Sequence, residues 1–152
     1  MISIRPIAPK DKHEWWKLWC DPDESYLQTT GSLASVSPST TETTFSRFLD
    51  PRVPLYAAVA QDSNGNLIGF ATYLTHLGTK LTQENMYLGD LYVSPSNRQK
   101  GAGRKLLEFV FSEADRLNCP GCFWTTDKDN QTAQRLYNKV GVQADFVLYR
   151  RA

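Results

Sequence analysis

The chain has 152 residues, 41% of them hydrophobic and 22% charged, with a net charge of +1. That length is enough to bury a core, and the balance excludes a disordered chain and a surface that binds nucleic acid through overall charge. No run approaches the roughly 18 apolar residues of a membrane span, and Met-Ile-Ser-Ile-Arg-Pro at the start lacks the apolar stretch of a signal peptide, so a soluble intracellular protein is expected.

Ile2, Ile4 and Ile7 alternate with polar residues and predict a first strand. From Pro9 to Cys20 the pattern turns helical, with Trp15, Trp16, Leu18 and Trp19 as an apolar face, and Asp21-Pro22-Asp23 stops it. Residues 28–44 are dense in Ser and Thr and read as a loop, followed by a short helix, Thr44–Leu49, ending before Pro51. Leu55–Ala60 and Leu67–Leu77 predict two strands joined by the hairpin turn Asp62–Asn66. Another strand is expected over Met86–Val93 and a long helix from Gly101 to Leu117, with Leu106, Leu107, Val110, Ala114 and Leu117 on one face. Phe123–Thr126 reads as a short strand, Gln131–Val140 as a helix with Gly141 at its left-handed C′ position, and Phe146–Arg150 as a last strand. The order predicts a mixed α/β sheet with helices on its faces, and no boundary divides residues 1–152 into domains.

The three cysteines, Cys20, Cys119 and Cys122, suit a reducing compartment. Cys119 and Cys122 have the spacing of a redox pair or half a zinc site. Redox pairs of that kind open a helix, whereas this one follows a helical pattern, and no second pair completes a zinc site. Packing and a helix-to-strand turn is the reading, and no metal is expected.

Three constellations carry chemistry. Arg98, Lys100, Arg104 and Lys105 lie within eight residues without an acid among them, which on charge alone is equally a solvated face. Within this stretch Gly101-Ala102-Gly103 joins a strand to a helix, so successive N–H groups and the positive helix end can meet an anion. A plain connecting turn is the competing reading. No Walker loop is present, and Leu106 stands where a dinucleotide fingerprint needs its third glycine. Further on, Asn130, Ala133 and Tyr137 share one helix stripe that ends at Gly141. Ala133 permits close approach and Tyr137 offers a phenol, although Asn130 can equally be only a cap. Lastly, Asp90 sits mid-strand among apolar residues beside Gly89, where a carboxylate finds a partner or shifts its pKa upward, as a general base for an amine requires.

Together these segments resemble the GNAT superfamily of acyl-CoA-dependent N-acetyltransferases. Arg98-Gln99-Lys100-Gly101-Ala102-Gly103 is similar to the family's cofactor signature, and Asn130 to Gly141 is similar to its later helix motif at every fixed position. Arg47–Pro51, Asp90–Val93 and Leu148–Arg151 look most like the small yeast histone and polyamine acetyltransferases and their fungal relatives. The resemblance implies a mostly antiparallel sheet whose central strands splay apart around acetyl-CoA. Leu91, Tyr92 and Val93 would meet the pantetheine arm, and Arg98, Gln99, Lys100, Gly101, Ala102, Gly103 and Arg104 the pyrophosphate. Asn130, Ala133 and Tyr137 complete the implied cofactor set. Asp90 is implied as base and Tyr137 as the acid that protonates the departing thiolate. The acceptor would be a small amine, an amino acid, a polyamine or a basic peptide tail such as a histone's, with the Asp21–Thr44 loop, Trp19, Tyr26 and His76 on its side. The loop here is mostly Ser and Thr, with acids only at Asp21, Asp23, Glu24 and Glu42, which sits poorly with a polycation. Relatives of this kind form dimers or larger assemblies, so a homo-oligomer in the cytoplasm, with the nucleus as a second compartment, is implied. A non-catalytic acyl-CoA-binding sensor and a nucleotide-binding regulator are the readings from other classes.

Overall fold

The computed structural model describes residues 1–152. Five strands form one sheet in chain order: β1 Ser3–Pro6, β2 Leu55–Gln61, β3 Leu67–His76, β4 Asn85–Val93 and β5 Cys122–Phe123. Neighbours are antiparallel except β4 and β5, which run parallel and so need the crossover helix α4, Ala102–Arg116, between them. Helices α1 Lys12–Cys20, α2 Tyr26–Thr29 and α3 Pro38–Phe48 precede β2, and α5 Gln131–Val140 follows β5. No helix is long and apolar enough to cross a membrane.

The sheet is covered on both faces, which is why Ala57, Ala58, Val59 and Ala60 run as four consecutive buried residues in β2. One face carries an aromatic cluster in which Trp15 stacks on Trp19 at 5.4 Å and meets Phe45 at 5.3 Å, with Phe70 and Tyr92 beneath. The other face takes Leu106, Leu107 and Val110 of α4 against Ala58, Ala71, Tyr73, Met86 and Leu88. Trp15 is fully buried, so Trp15→Ala would cost about 3–5 kcal/mol.

A bulge in β4 decides which residues reach which face. Asp90 pairs with Thr72 and Leu88 with Tyr73, so Gly89 is the extra residue. Asp90 and Tyr92 therefore point towards α1 and α2, while Leu88 and Met86, which strict alternation would have put on the same side, return to the α4 core.

Four expectations are corrected. The Ser/Thr-rich stretch is not one loop: Ser25 caps α2, and Ser37 accepts from the Thr40 N–H to start α3 with Pro38 at its first position. The strand expected to Thr126 stops at Phe123, because β4 turns away and leaves nothing to pair with. Gly141 is extended (φ −148°, ψ −169°) rather than left-handed; its role is close approach, since a Cβ there would lie 3.0 Å from the Trp124 ring. Residues 146–150 form no strand within the chain.

Candidate active site

β4 and β5 pair only at Met86–Cys122 and Tyr87–Phe123. Beyond Tyr87, β4 continues to Val93 with no strand on that side, so the two diverge into a cleft as the resemblance implied. Leu91 and Val93 turn their side chains to the α4 core, and Tyr92 is buried in the aromatic cluster. Any contact Tyr92 makes with a ligand in the cleft is therefore through its main chain.

At the end of β4 the chain makes a turn whose backbone changes hand. Gln99 has φ 63° and Gly101 φ 87°, both left-handed, a conformation that is uncommon at a non-glycine such as Gln99. Such alternation points consecutive N–H groups into one concavity. Gly101 caps α4 without any side-chain acceptor, so the N–H groups of the first turn are left for a ligand. A Cβ placed on Gly101 would meet no atom within 4 Å, so the space above the turn is open. Ala102 is 2% exposed and packs its methyl into the core, and Gly103 lies 3.4 Å, by its missing Cβ, from Leu136 of α5. Arg98 donates from Nε to the Val93 carbonyl at 2.9 Å, with its guanidinium over the Tyr92 ring, while Lys100 is exposed. Arg104 points along the helix to Glu108 at 3.0 Å, so it offers its N–H rather than its charge. This donor set fits a diphosphate.

Asp90 is half-buried, and burial pushes its carboxyl above the usual range. The hydroxyls of Tyr26 and Thr72 oppose that rise. The Thr72 hydroxyl has no well-formed hydrogen bond, so its influence is exerted at longer range than a direct contact. Tyr26 is fixed by stacking on Trp19 at 5.6 Å and by edge contacts with Phe70 at 5.8 Å and Tyr92 at 6.2 Å. Its phenol is pushed up by burial and by Asp90, with Tyr87 and Tyr137 close enough to add to the effect. Asp90 of β4 and Tyr137 of α5 both contribute to the raised pKa of the Tyr26 phenol.

Tyr137 is half-buried, edge-on to Trp124 at 5.5 Å, and burial raises its pKa, which keeps it a protonated donor. Asn130 is the cap of α5, accepting from the Ala133 N–H at 3.1 Å, and Ala133 is half-buried on the same stripe. Tyr87, Phe123 and His76 form an aromatic wall on the Asp90 side, with rings 5.1 and 5.7 Å apart. Trp19, expected on the acceptor side, is 8% exposed and bonded to Thr41 at 3.1 Å, so it belongs to the core. Thr72, Tyr87 and Phe123 were not found from sequence; only strand register places them beside Asp90.

A hollow of about 520 Å³ lies elsewhere, between α1 and the end of β4. Glu14, Asp21 and Glu24 line it against the single cation Lys17, an acidic balance that disfavours an anion. Cys119 is buried, and burial raises the Cys122 thiol to about 11, the opposite of a reactive redox pair.

A model described as Acetyltransferase (GNAT) family matches residues 3–142. The D-amino-acid N-acetyltransferase HPA3 of Saccharomyces cerevisiae is 45% identical over 151 residues, covering 99% of this chain and 90% of that protein. Among solved structures, a probable acetyltransferase superposes with a TM-score of 0.84 at 20% identity, over 99% of this chain and 97% of the other. An aminoglycoside N-acetyltransferase in complex with CoA gives 0.79 at 17% identity, over 100% and 95%. At those identities the two structures speak for the fold alone. The chain belongs to the acetyltransferase (GNAT) family and is an N-acetyltransferase whose acetyl donor is acetyl-CoA.

Proposed function

We propose that residues 1–152 form one catalytic domain that acetylates the amine of a small acceptor, with a D-amino acid as the first candidate. The observation that carries the reading is the parting of β4 and β5 beyond Tyr87, with the half-buried Asp90 on the diverging part of β4 and the half-buried Tyr137 on α5. The acceptor class draws support from the yeast relative and from the wall beside Asp90. That wall is aromatic, built from Tyr87, Phe123 and His76, and suits an apolar side chain better than a polyamine or histone tail.

Acetyl-CoA, when bound, supplies an acetyl thioester and an anionic pyrophosphate. The N–H groups from Gln99 to Arg104, with Arg98 and Lys100, would hold the pyrophosphate, and the main chain of Leu91 and Val93 the amide-bearing arm. An acceptor amine arrives protonated, and Asp90 takes that proton directly or through water. The raised Asp90 pKa narrows the gap to the amine and eases the transfer. The Leu91 N–H would face the oxygen on which charge develops. Tyr137 holds the proton that the departing thiolate needs. The three free cysteines favour the reducing cytoplasm as the place of work.

The test is thiol release from acetyl-CoA across D- and L-amino acids, polyamines, histone-tail peptides and aminoglycosides. Turnover confined to amino acids, with D forms preferred, is expected. Preference for polyamines or tails would overturn the acceptor assignment, and acetyl-CoA bound without release by any acceptor would overturn the catalytic one.

A further inference from the structure

We propose that the hollow between α1 and the end of β4 is a binding site for a small organic cation, a guanidinium or ammonium head on a short apolar stem, separate from the place of acetyl transfer. Its volume of about 520 Å³ lies within the roughly 300–1,000 Å³ of small-molecule sites. Glu14, Asp21 and Glu24 line it together with Lys17, and none of these four forms an ion pair within the chain. One oxygen of Glu14 accepts the Leu67 N–H at 3.1 Å, and one oxygen of Asp21 holds the Asp23 and Glu24 N–H groups. The other oxygen of each, and the whole Glu24 carboxylate, are left for a ligand. No three acids stand close enough to share a metal ion, so the charge is spread as an extended organic cation requires.

A second observation points to the same ligand. Tyr92 lines the hollow, is 5% exposed, and its hydroxyl has no hydrogen-bond partner. A buried hydroxyl without a partner is rare in a folded chain and costly to keep. Burial first, and then the charge of Glu24, push the phenol above its ordinary range, which keeps it protonated. Arg98 lies over the Tyr92 ring at 5.8 Å, but it donates to the Val93 carbonyl and does not line the hollow. A phenol can meet a donor or an acceptor, and the acids around it turn away an anionic acceptor, so a cationic N–H remains. Leu18 and Leu67 line the hollow as well and suit the stem. Asp90, Tyr26 and Tyr87 take no part in its lining, so the site stands whatever the acceptor amine proves to be.

The experiment is calorimetric titration of the full chain with n-butylguanidinium, which stays charged and offers no free amine to acetylate, beside the neutral n-butylurea. Saturable binding of the guanidinium and none of the urea is expected. Glu24→Gln should weaken it about tenfold through loss of a charge-assisted hydrogen bond. Tyr92→Phe should weaken it as well, while the thermal midpoint of the free protein holds or rises because an unpaired hydroxyl is gone. Asp90→Asn should bind the cation as the parent does. No saturable binding, equal binding of the urea, or parental affinity in Glu24→Gln or Tyr92→Phe each overturns the site. Loss of binding in Asp90→Asn would put the cation on the acceptor side and overturn it too.

Discussion

Asp90 is under two opposing influences, and the balance sets its chemistry. Burial favours the protonated form, while the Tyr26 and Thr72 hydroxyls favour the carboxylate, with burial the larger. Activity that depends on Asp90 accepting a proton must therefore fall as pH drops through its raised pKa. Removing one stabilising hydroxyl raises that pKa further, so Tyr26→Phe is expected to move the acid limb of the kcat/KM profile to higher pH. An unmoved limb would show that Tyr26 only packs. For Tyr137→Phe the expected result is a kcat lowered about 10²-fold with acetyl-CoA affinity kept, read by steady-state kinetics and calorimetry; an unchanged rate would remove the phenol from the chemistry. Asp90 and Tyr137 stand out in the sequence as candidates because each breaks a local rule, a carboxylate within an apolar strand and a phenol on a stripe with a small residue. Tyr26 was legible only through the resemblance, and Thr72 not at all. Nothing local marks a hydroxyl as facing a carboxylate on another element, since that depends on the register of β3 with β4.

At the scale of elements, the turn into α4 is the most explicit statement the sequence makes. Two glycines after a strand predicted an anion cradle, and the structure adds that Gln99 as well as Gly101 is left-handed. Gly101→Glu adds strain, bulk and negative charge in the open space above the turn. Acetyl-CoA binding measured by calorimetry is expected to be lost, and wild-type affinity would place the pyrophosphate elsewhere. The helix α3 escaped the sequence reading because its cap, Ser37-Pro38, lies inside a run of Ser and Thr where capping and loop residues look alike. The strand expected at residues 146–150 illustrates the converse. Its pattern is that of a strand, but a pattern states what a segment can pair as and not where its partner is.

For the whole molecule, acid stability is governed by a link between its first strand and first helix. Arg5 of β1 holds both oxygens of Asp11, at 2.7 and 2.9 Å, just before α1, and Asp11 also accepts the Ala8 N–H at 2.8 Å. The hydrogen bond from Arg5 is the main reason the Asp11 carboxyl lies below its ordinary range despite burial. A depressed carboxyl contributes stability that is complete above the unfolded value, about 3.9, and is lost as pH falls through the folded value. Asp90 has the opposite sign: its raised pKa opposes folding at neutral pH, and that cost is relieved on acidification. Urea midpoints are therefore expected to drop below about pH 4. Asp11→Asn should cost about 1.5–3 kcal/mol at pH 7 and flatten that drop. A variant as stable as the parent at pH 7 would show that the link is incidental.

The extra residue at Gly89 has one more consequence. Because it resets the phase of β4, the strand consists of two segments that can be altered independently. In the proposed arrangement Asp90 to Val93 would border the donor cleft, while Asn85 to Leu88 would present Tyr87 to the acceptor. A substitution at Tyr87 changes what the wall admits without moving Asp90. New acceptors can thus be acquired by descent while the transfer chemistry is inherited unchanged.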